Sequence, residues 1–216
     1  MGKITDLRPN KGHGRRVSVF LDGRFAFSVG DDVASREDLQ PEQTLTAERI
    51  GTLVESDRHE RCMSAATRYL ASRPRSHAEL RERLRRRGFD SDTQEAVIAR
   101  LKEQGLLDDA NFARFWTDNR ESFSPRSRRL TRMELQKKGV PRDIIDQAVN
   151  VIDDQARAYR AALSRVYSLR HSDREEFRCR LGAYLQRRGF GYDVVVRTVE
   201  ELWKDKESAD ESSGTG

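Results

Sequence analysis

Gly88, Gly139 and Gly189 each stand four residues after a leucine (Leu84, Leu135, Leu185) and directly before an apolar residue (Phe89, Val140, Phe190). They lie 51 and then 50 residues apart. Nine, ten and thirteen positions past each glycine a second set recurs: Val97, Ile98, Leu101; Ala148, Val149, Ile152; Thr198, Val199, Leu202. A fixed period that reuses its core offsets marks a tandem repeat. A glycine just past the last periodic residue is what a helix needs when it closes on a left-handed residue. Each copy therefore reads as two helices joined at a glycine.

The clearest copy is Arg75–Leu107. Ser76 and Glu79 have capping-box spacing, so a helix starts at His77, with Leu80 and Leu84 as its apolar stripe. Ser91 and Gln94 have the same spacing ahead of Val97, Ile98 and Leu101, and Gly105 closes the second helix. A two-helix unit cannot bury its own apolar face, so each copy includes the helix before it, over roughly 57–72, 109–122 and 154–170. In Leu106–Ala113, Asp109 is a candidate N-cap, and Phe112, Phe115 and Trp116 form an aromatic stripe behind it.

Only residues 1–40 read as β structure. Val17, Val19 and Leu21 alternate with other residues, Asp22-Gly23 follows, and Phe25, Phe27 and Val29 alternate again. All six apolar positions are odd-numbered. A two-residue loop would pair odd with even positions and split the two sets between faces, so a three-residue loop with Gly23 left-handed is expected. An isolated hairpin is marginal and needs a further strand, Lys3–Arg8, or a covering helix. Asp31 and Asp32 begin a short helix, and Thr46 caps one that carries Ile50, Leu53 and Val54. A second helix then runs to about Ser72, with a break near Asp57 or none.

The expected fold is mainly α: three tandem three-helix modules in an elongated array, with a small N-terminal β-hairpin extension. The expected divisions are 1–45 for the extension, 46–107, 108–153 and 154–204 for the modules, and 205–216 for an unstructured tail poor in apolar residues.

Composition narrows the function. No apolar run approaches the length of a membrane span, and the N-terminus lacks the apolar core of a signal peptide, so a cytoplasmic protein is expected. Cys62 and Cys179 match no metal or redox spacing and read as small, reduced, buried or half-buried residues. His13, His59, His77 and His171 form no ligand set, so neither metal nor cofactor is expected. No phosphate-binding glycine loop or nucleophile motif is present, and the acidic pairs Asp31/Asp32, Asp108/Asp109 and Asp153/Asp154 look like helix starts, so an enzyme is not expected. The net charge is +5. Residues 65–107 carry ten basic and six acidic side chains, and residues 154–204 eleven and seven. The positive excess lies in the first and third repeats and suggests an anionic partner.

Four strings carry a resemblance to the RecX regulatory proteins: Tyr69–Phe89 (YLASRPRSHAELRERLRRRGF), Gly105–Trp116 (GLLDDANFARFW), Glu134–Val140 (ELQKKGV) and Val19–Val29 (VFLDGRFAFSV). The third repeat matches most loosely. The resemblance implies a monomeric modulator of the RecA recombinase. Such proteins lie in the groove of the RecA–single-stranded-DNA filament and typically inhibit its ATP hydrolysis, strand exchange and co-protease activities. A direct hold on single- or double-stranded DNA is a further expectation, and no membrane role is expected.

The basic residues of the second helices are the candidate contacts: Arg81, Arg85, Arg86 and Arg87 in the first repeat, Arg126, Arg128, Arg129 and Arg132 in the second, Arg187 and Arg188 in the third. Cations also favour a helix C-terminus by ~0.3–1 kcal/mol each, which accounts for Arg85–Arg87 and Arg187–Arg188 without a partner. Helix pairs around a glycine also resemble helix-turn-helix units, so a sequence-specific DNA-binding regulator is the alternative.

Overall fold

The computed structural model describes residues 1–10 and 15–213 of the protein. It falls into two compact units, one made of Met1–Arg73 with Leu80–Leu106 and the other of Pro74–Glu79 with the chain from Leu107 onward.

The first unit opens with β1 (Gly2–Pro9), β2 (Arg16–Leu21) and β3 (Arg24–Gly30). A short helix α1 (Asp31–Arg36) and the two-residue β4 (Thr44–Leu45) follow. The antiparallel sheet has the order β3-β2-β1-β4. The hairpin departs from the expected loop. Asp22 and Gly23 both take positive φ, 48° and 78°, and Leu21 pairs with Arg24 across a two-residue turn. Parity is restored one pair further on: Phe20 faces Phe25, but Val19 faces Phe27, so a bulge at Ala26 shifts the register. Val17, Val19, Phe27 and Val29 are thereby buried on one face, while Phe25 is left exposed. The requirement that the apolar sets share a face holds; a bulge rather than a longer loop meets it.

Helix α2 (Ala47–Leu70) begins where Thr46 accepts a hydrogen bond from the Arg49 amide and runs unbroken past Asp57. Its first half packs Leu53 with Ile4, Val19, Val29 and Val33 of the sheet and α1. Its second half buries Cys62, Ala65 and Ala66, the leading helix of the first module. The other two are α3 (His77–Arg85), with Leu80 and Leu84 buried, and α4 (Ser91–Glu103), with Val97, Ile98 and Leu101 buried. Each fully buried leucine contributes roughly 1.5–3 kcal/mol. The cap of α4 lies one residue before the expected Ser91. Asp90 accepts from the Thr93 amide at 2.9 Å, and Gln94 turns back to donate to the Phe89 carbonyl at 2.7 Å. The Thr93 amide and hydroxyl hold the Asp90 carboxyl down to about 2.

The second unit holds two further three-helix modules. One comprises α5 (Asp109–Phe123), α6 (Arg128–Lys137) and α7 (Arg142–Asn150) around Phe112, Ala113, Leu135, Ile145 and Val149. The other comprises α8 (Asp154–Val166), α9 (Arg174–Arg187) and α10 (Tyr192–Ser213) around Ala158, Ala162, Phe177, Leu181, Leu185 and Val199. Helix α8 ends four residues before the expected boundary, in a 3-10 turn at Tyr167–Leu169. The cap of α5 is Asp108, which accepts from the Ala110 amide at 2.7 Å. The expected cap, Asp109, is buried and instead accepts from the His77 amide at 3.0 Å and lies 3.0 Å from His77 Nδ1.

The expected unstructured tail is helical: α10 continues through Ser213, and 214–216 lie outside the described residues. Polar anchors take the place of an apolar stripe. Lys206 Nζ donates to the Ser172 carbonyl at 2.7 Å and lies 4.4 Å from the Trp203 ring centre, and the Tyr159 hydroxyl lies 3.2 Å from Asp205.

The glycine signature has one cause in all three modules. Gly88, Gly139 and Gly189 have φ of 81°, 72° and 88°. The amide after each returns to the carbonyl of the leucine: Phe89 to Leu84 at 3.4 Å, Val140 to Leu135 at 3.2 Å, Phe190 to Leu185 at 3.3 Å. This is the closed C-terminal turn in which the leucine and the apolar residue also meet.

Within the second unit these turns seat on helix N-termini. The Ser76 hydroxyl, capping α3, donates to the Lys138 carbonyl at 2.6 Å, and Lys138 Nζ reaches Glu79 at 2.7 Å. The Ser127 amide, at the cap of α6, donates to the Arg188 carbonyl at 3.1 Å, and Arg188 donates to the Ser124 hydroxyl at 3.1 Å and the Pro125 carbonyl at 2.9 Å. A Cβ at Gly139 would stand 2.4 Å from Ala78 Cβ, and one at Gly189 would stand 2.6 Å from Ser127 Oγ. The joint opposes a helix C-terminus to a helix N-terminus, which pairs the dipoles favourably.

Candidate functional site: a basic groove in the third module

Leu181 and Leu185 turn one side of α9 into its core, which leaves Tyr184, Arg187 and Arg188 on another side. Arg165, near the end of α8, lies with its guanidinium 5.1 Å from the Tyr184 ring centre, and that of Arg188 lies 4.7 Å away. The Tyr184 hydroxyl is 3.3 Å from the Ser164 hydroxyl. Ser124, Arg126, Arg165, Tyr184, Arg187 and Arg188 line one groove. An adjoining depression adds Arg180 and Cys179. Cys179 is exposed, contrary to expectation, whereas burial pushes the thiol of Cys62 up to about 11.

The groove is positive because few acids reach it. Arg126 is paired with Glu134, and Arg180 with Glu176 at 2.8 Å. Arg165 and Arg187 are exposed and have no acidic partner among the described residues. The guanidiniums of Arg165 and Arg188 lie over the Tyr184 ring, which holds them in place beside Arg187 and concentrates positive charge that suits a phosphodiester backbone or an acidic protein segment.

Of the expected contact residues, Arg126, Arg187 and Arg188 come together here. Arg188 and Arg126 also hold structure, the first at the joint and the second on Glu134. Arg128 donates to the Ile152 carbonyl at 2.6 Å while its amide donates to Asp154, Arg132 pairs with Asp146 at 2.9 Å, and Arg129 is exposed. In the first module Arg85 and Arg86 share Glu82, whose carboxyl they hold down to about 2. Arg81 and Arg87 are exposed and unpaired among the described residues. The repeat thus gives similar positions dissimilar roles. Arg165 and Tyr184 were not anticipated. Tyr184, Arg187 and Arg188 fall at helical spacing, but Arg165 is placed by packing of α8 on α9.

Beside the groove, half-buried Glu134 accepts from Trp116 Nε1 at 2.8 Å, Arg120 Nε at 2.8 Å and Arg126. Glu134→Gln removes the charge these two guanidiniums face. It is expected to cost about 1–3 kcal/mol in denaturant unfolding and to shift the Trp116 emission. An unchanged midpoint would mean that water replaces the carboxylate freely.

Among the described residues no group of His, Cys, Asp and Glu could hold a metal ion, and no helix is long and apolar enough to cross a membrane. The model of the first RecX three-helix domain matches residues 62–101, and that of the second matches residues 108–149. A Regulatory protein RecX of Clostridium botulinum is 28% identical, over 93% of this chain and 96% of its own. One of Prosthecochloris aestuarii is 37% identical, over 66% of this chain and 93% of its own. A crystal structure of regulatory protein RecX superposes with a TM-score of 0.64 at 22% identity, over 90% of this chain and 97% of that one. That of RecX from Lactobacillus salivarius gives 0.59 at 22% identity, over 68% and 97%. Two matched domains in order, the third module's equivalent turn and a relative matched over nearly its full length place this chain in the family of RecX regulatory proteins.

Proposed function

We propose that this protein binds the RecA–single-stranded-DNA filament as a monomer in the cytoplasm, without catalytic chemistry of its own, and lowers the filament's ATP hydrolysis, strand exchange and co-protease activity. Membership of a family of regulatory proteins supports the regulatory role. The observation that carries the binding mode is the groove in which Arg165 and Arg187 stand unneutralised beside Tyr184 and Arg188. Tandem modules on one chain add weak contacts by effective concentration, which suits a polymer with repeating subunits.

The test is the single-stranded-DNA-dependent ATPase rate of the cognate RecA at rising, sub-stoichiometric amounts of the protein. A dose-dependent fall is expected. The double variant Arg165→Glu/Arg187→Glu should need about tenfold more protein for the same fall, and added salt should mimic it. Both side chains are exposed, so the variant should fold normally. An unchanged rate together with preferred binding to one duplex sequence would instead favour a helix-turn-helix regulator of transcription.

A further inference from the structure

The joint described above occurs twice, and the chain contains a third copy of one half of it. Lys138 and Arg188 each stand just before the turn glycine. Lys138 gives a carbonyl to the α3 cap and its ammonium to Glu79 in the first turn, and Arg188 gives its carbonyl to the α6 cap and its guanidinium to Ser124 and Pro125 just ahead of it. Arg87 is the equivalent residue of the first module. Among the described residues its carbonyl accepts nothing, its side chain is exposed, and nothing stands within 4 Å of a Cβ built on Gly88.

The opposite end of the repeat is blocked. Ser76 and Ser127 lie twelve residues before Gly139's predecessor Gly88 and before Gly139 itself; the same offset from Gly189 falls on Phe177. Phe177 is not a cap. Helix α9 starts at Arg174 and is 14 residues long, against 10 for α6 and 9 for α3. The extra turn buries Phe177 completely. A second copy of the chain therefore has no free second-helix N-terminus of the matching form, since those of α3 and α6 are already engaged.

We propose that the Arg87–Gly88–Phe89 turn is an open joint that docks the N-terminal turn of a helix from a partner protein. The occupant carries Ser or Thr at its N-cap to donate to the Arg87 carbonyl, as Ser76 does to Lys138, and a carboxylate at its third helical position to meet the Arg87 guanidinium, as Glu79 meets Lys138. The positive end of that helix meets the negative end of α3. Residues 77–88 carry Arg81, Arg83, Arg85, Arg86 and Arg87 against Glu79 and Glu82, a positive excess that favours an acidic surface on the partner. This inference does not rest on the recombinase reading or on the groove of the third module.

The probe is a synthetic peptide of residues 74–82 with an alanine-rich helical extension, titrated into the 15N-labelled full chain. The expected result is a saturable shift of the Arg87, Gly88 and Phe89 amides, with affinity in the millimolar range. Changing the peptide at Ser76→Ala and Glu79→Lys, or the protein at Arg87→Glu, should each weaken it about tenfold. Arg187→Glu in the protein should leave it unchanged, which separates docking at the turn from general attraction to basic surface. No shift at those three amides, or equal shifts with the altered peptide, overturns the proposal.

Discussion

Asp57→Ala is expected to destabilise the first unit by about 3–5 kcal/mol, the range for removing one partner of a buried ion pair. Asp57 lies on the middle of α2 and is 4% exposed. Its Oδ1 accepts from the Gly30 amide at 2.7 Å and from Arg16 at 3.1 Å, and its Oδ2 accepts from Arg16 at 3.0 Å. Arg16 also donates to the Ser28 hydroxyl and carbonyl. One carboxylate therefore ties α2 to the start of β2 and the end of β3. Alanine would leave the Arg16 guanidinium, itself largely covered, without its countercharge, and the Gly30 amide without its acceptor. A loss of that size is a large share of the 5–15 kcal/mol typical of a folded domain. Denaturant unfolding should show a lower midpoint at unchanged slope. Asp57→Asn keeps an acceptor for Gly30 and should cost less. A loss under about 1 kcal/mol for alanine would show that Arg16 reaches water once the carboxylate is gone.

Asp57 also marks a limit of reading the sequence. The sequence leaves open whether a helix breaks near Asp57 or runs through it, and nothing beside an acidic residue in a polar stretch marks it as buried. What makes it interior is Arg16, forty-one residues earlier, and no local pattern connects the two. The repeat was legible for the opposite reason. Leu84, Gly88 and Phe89 belong to one closed turn whose hydrogen bonds span five residues, so its demands are written side by side. The hairpin falls between these cases. That Val17, Val19, Phe27 and Val29 must share a face follows from alternation. The device that achieves it, a bulge after a tight Asp22-Gly23 turn, follows from backbone twist that alternation does not encode.

The basic groove was partly legible in the same sense. Arg187 and Arg188 announce themselves as a pair at a helix end, and Arg126 as one of a run. Their meeting depends on the joint that seats the Arg188 carbonyl on Ser127, a contact across sixty residues. The same joint converts Arg188 from a free cation into a structural donor, while Arg187, one residue away, stays exposed. The net charge is the same, +4, over residues 65–107 and 154–204. In the third module packing sets Arg165 of α8 and Arg188 against Tyr184 of α9, whereas in the first Tyr69 of α2 meets Arg83 of α3. Acidic residues make the other difference. Glu82 occupies Arg85 and Arg86, whereas no carboxylate pairs with Arg165 or Arg187 among the described residues.

Alanine in place of the three turn glycines should separate backbone strain from inter-module contact. All three have φ between 72° and 88°, where an L side chain costs about 1–2 kcal/mol, partly offset by the stiffer unfolded chain. Gly88→Ala meets nothing within 4 Å, so about 1 kcal/mol is the whole expected loss. Gly189→Ala would bring its Cβ to 2.6 Å from Ser127 Oγ and 2.9 Å from Leu130 Cβ. Overpacking of that kind adds about 1–3 kcal/mol, for a total of roughly 2–4. Gly139→Ala should be the most costly, because the obstructing atom is Ala78 Cβ at 2.4 Å. That atom has no rotamer by which to move aside, so the α3 cap must shift and stretch the Ser76 bond to the Lys138 carbonyl. Thermal or denaturant unfolding of the three variants is expected to rank them Gly88, Gly189, Gly139 in increasing damage. Amide exchange at Val140 should rise in Gly139→Ala, and at Phe190 in Gly189→Ala, as each turn opens. Equal losses at all three positions would mean that the left-handed backbone alone sets the need for glycine, and that the joints yield without cost.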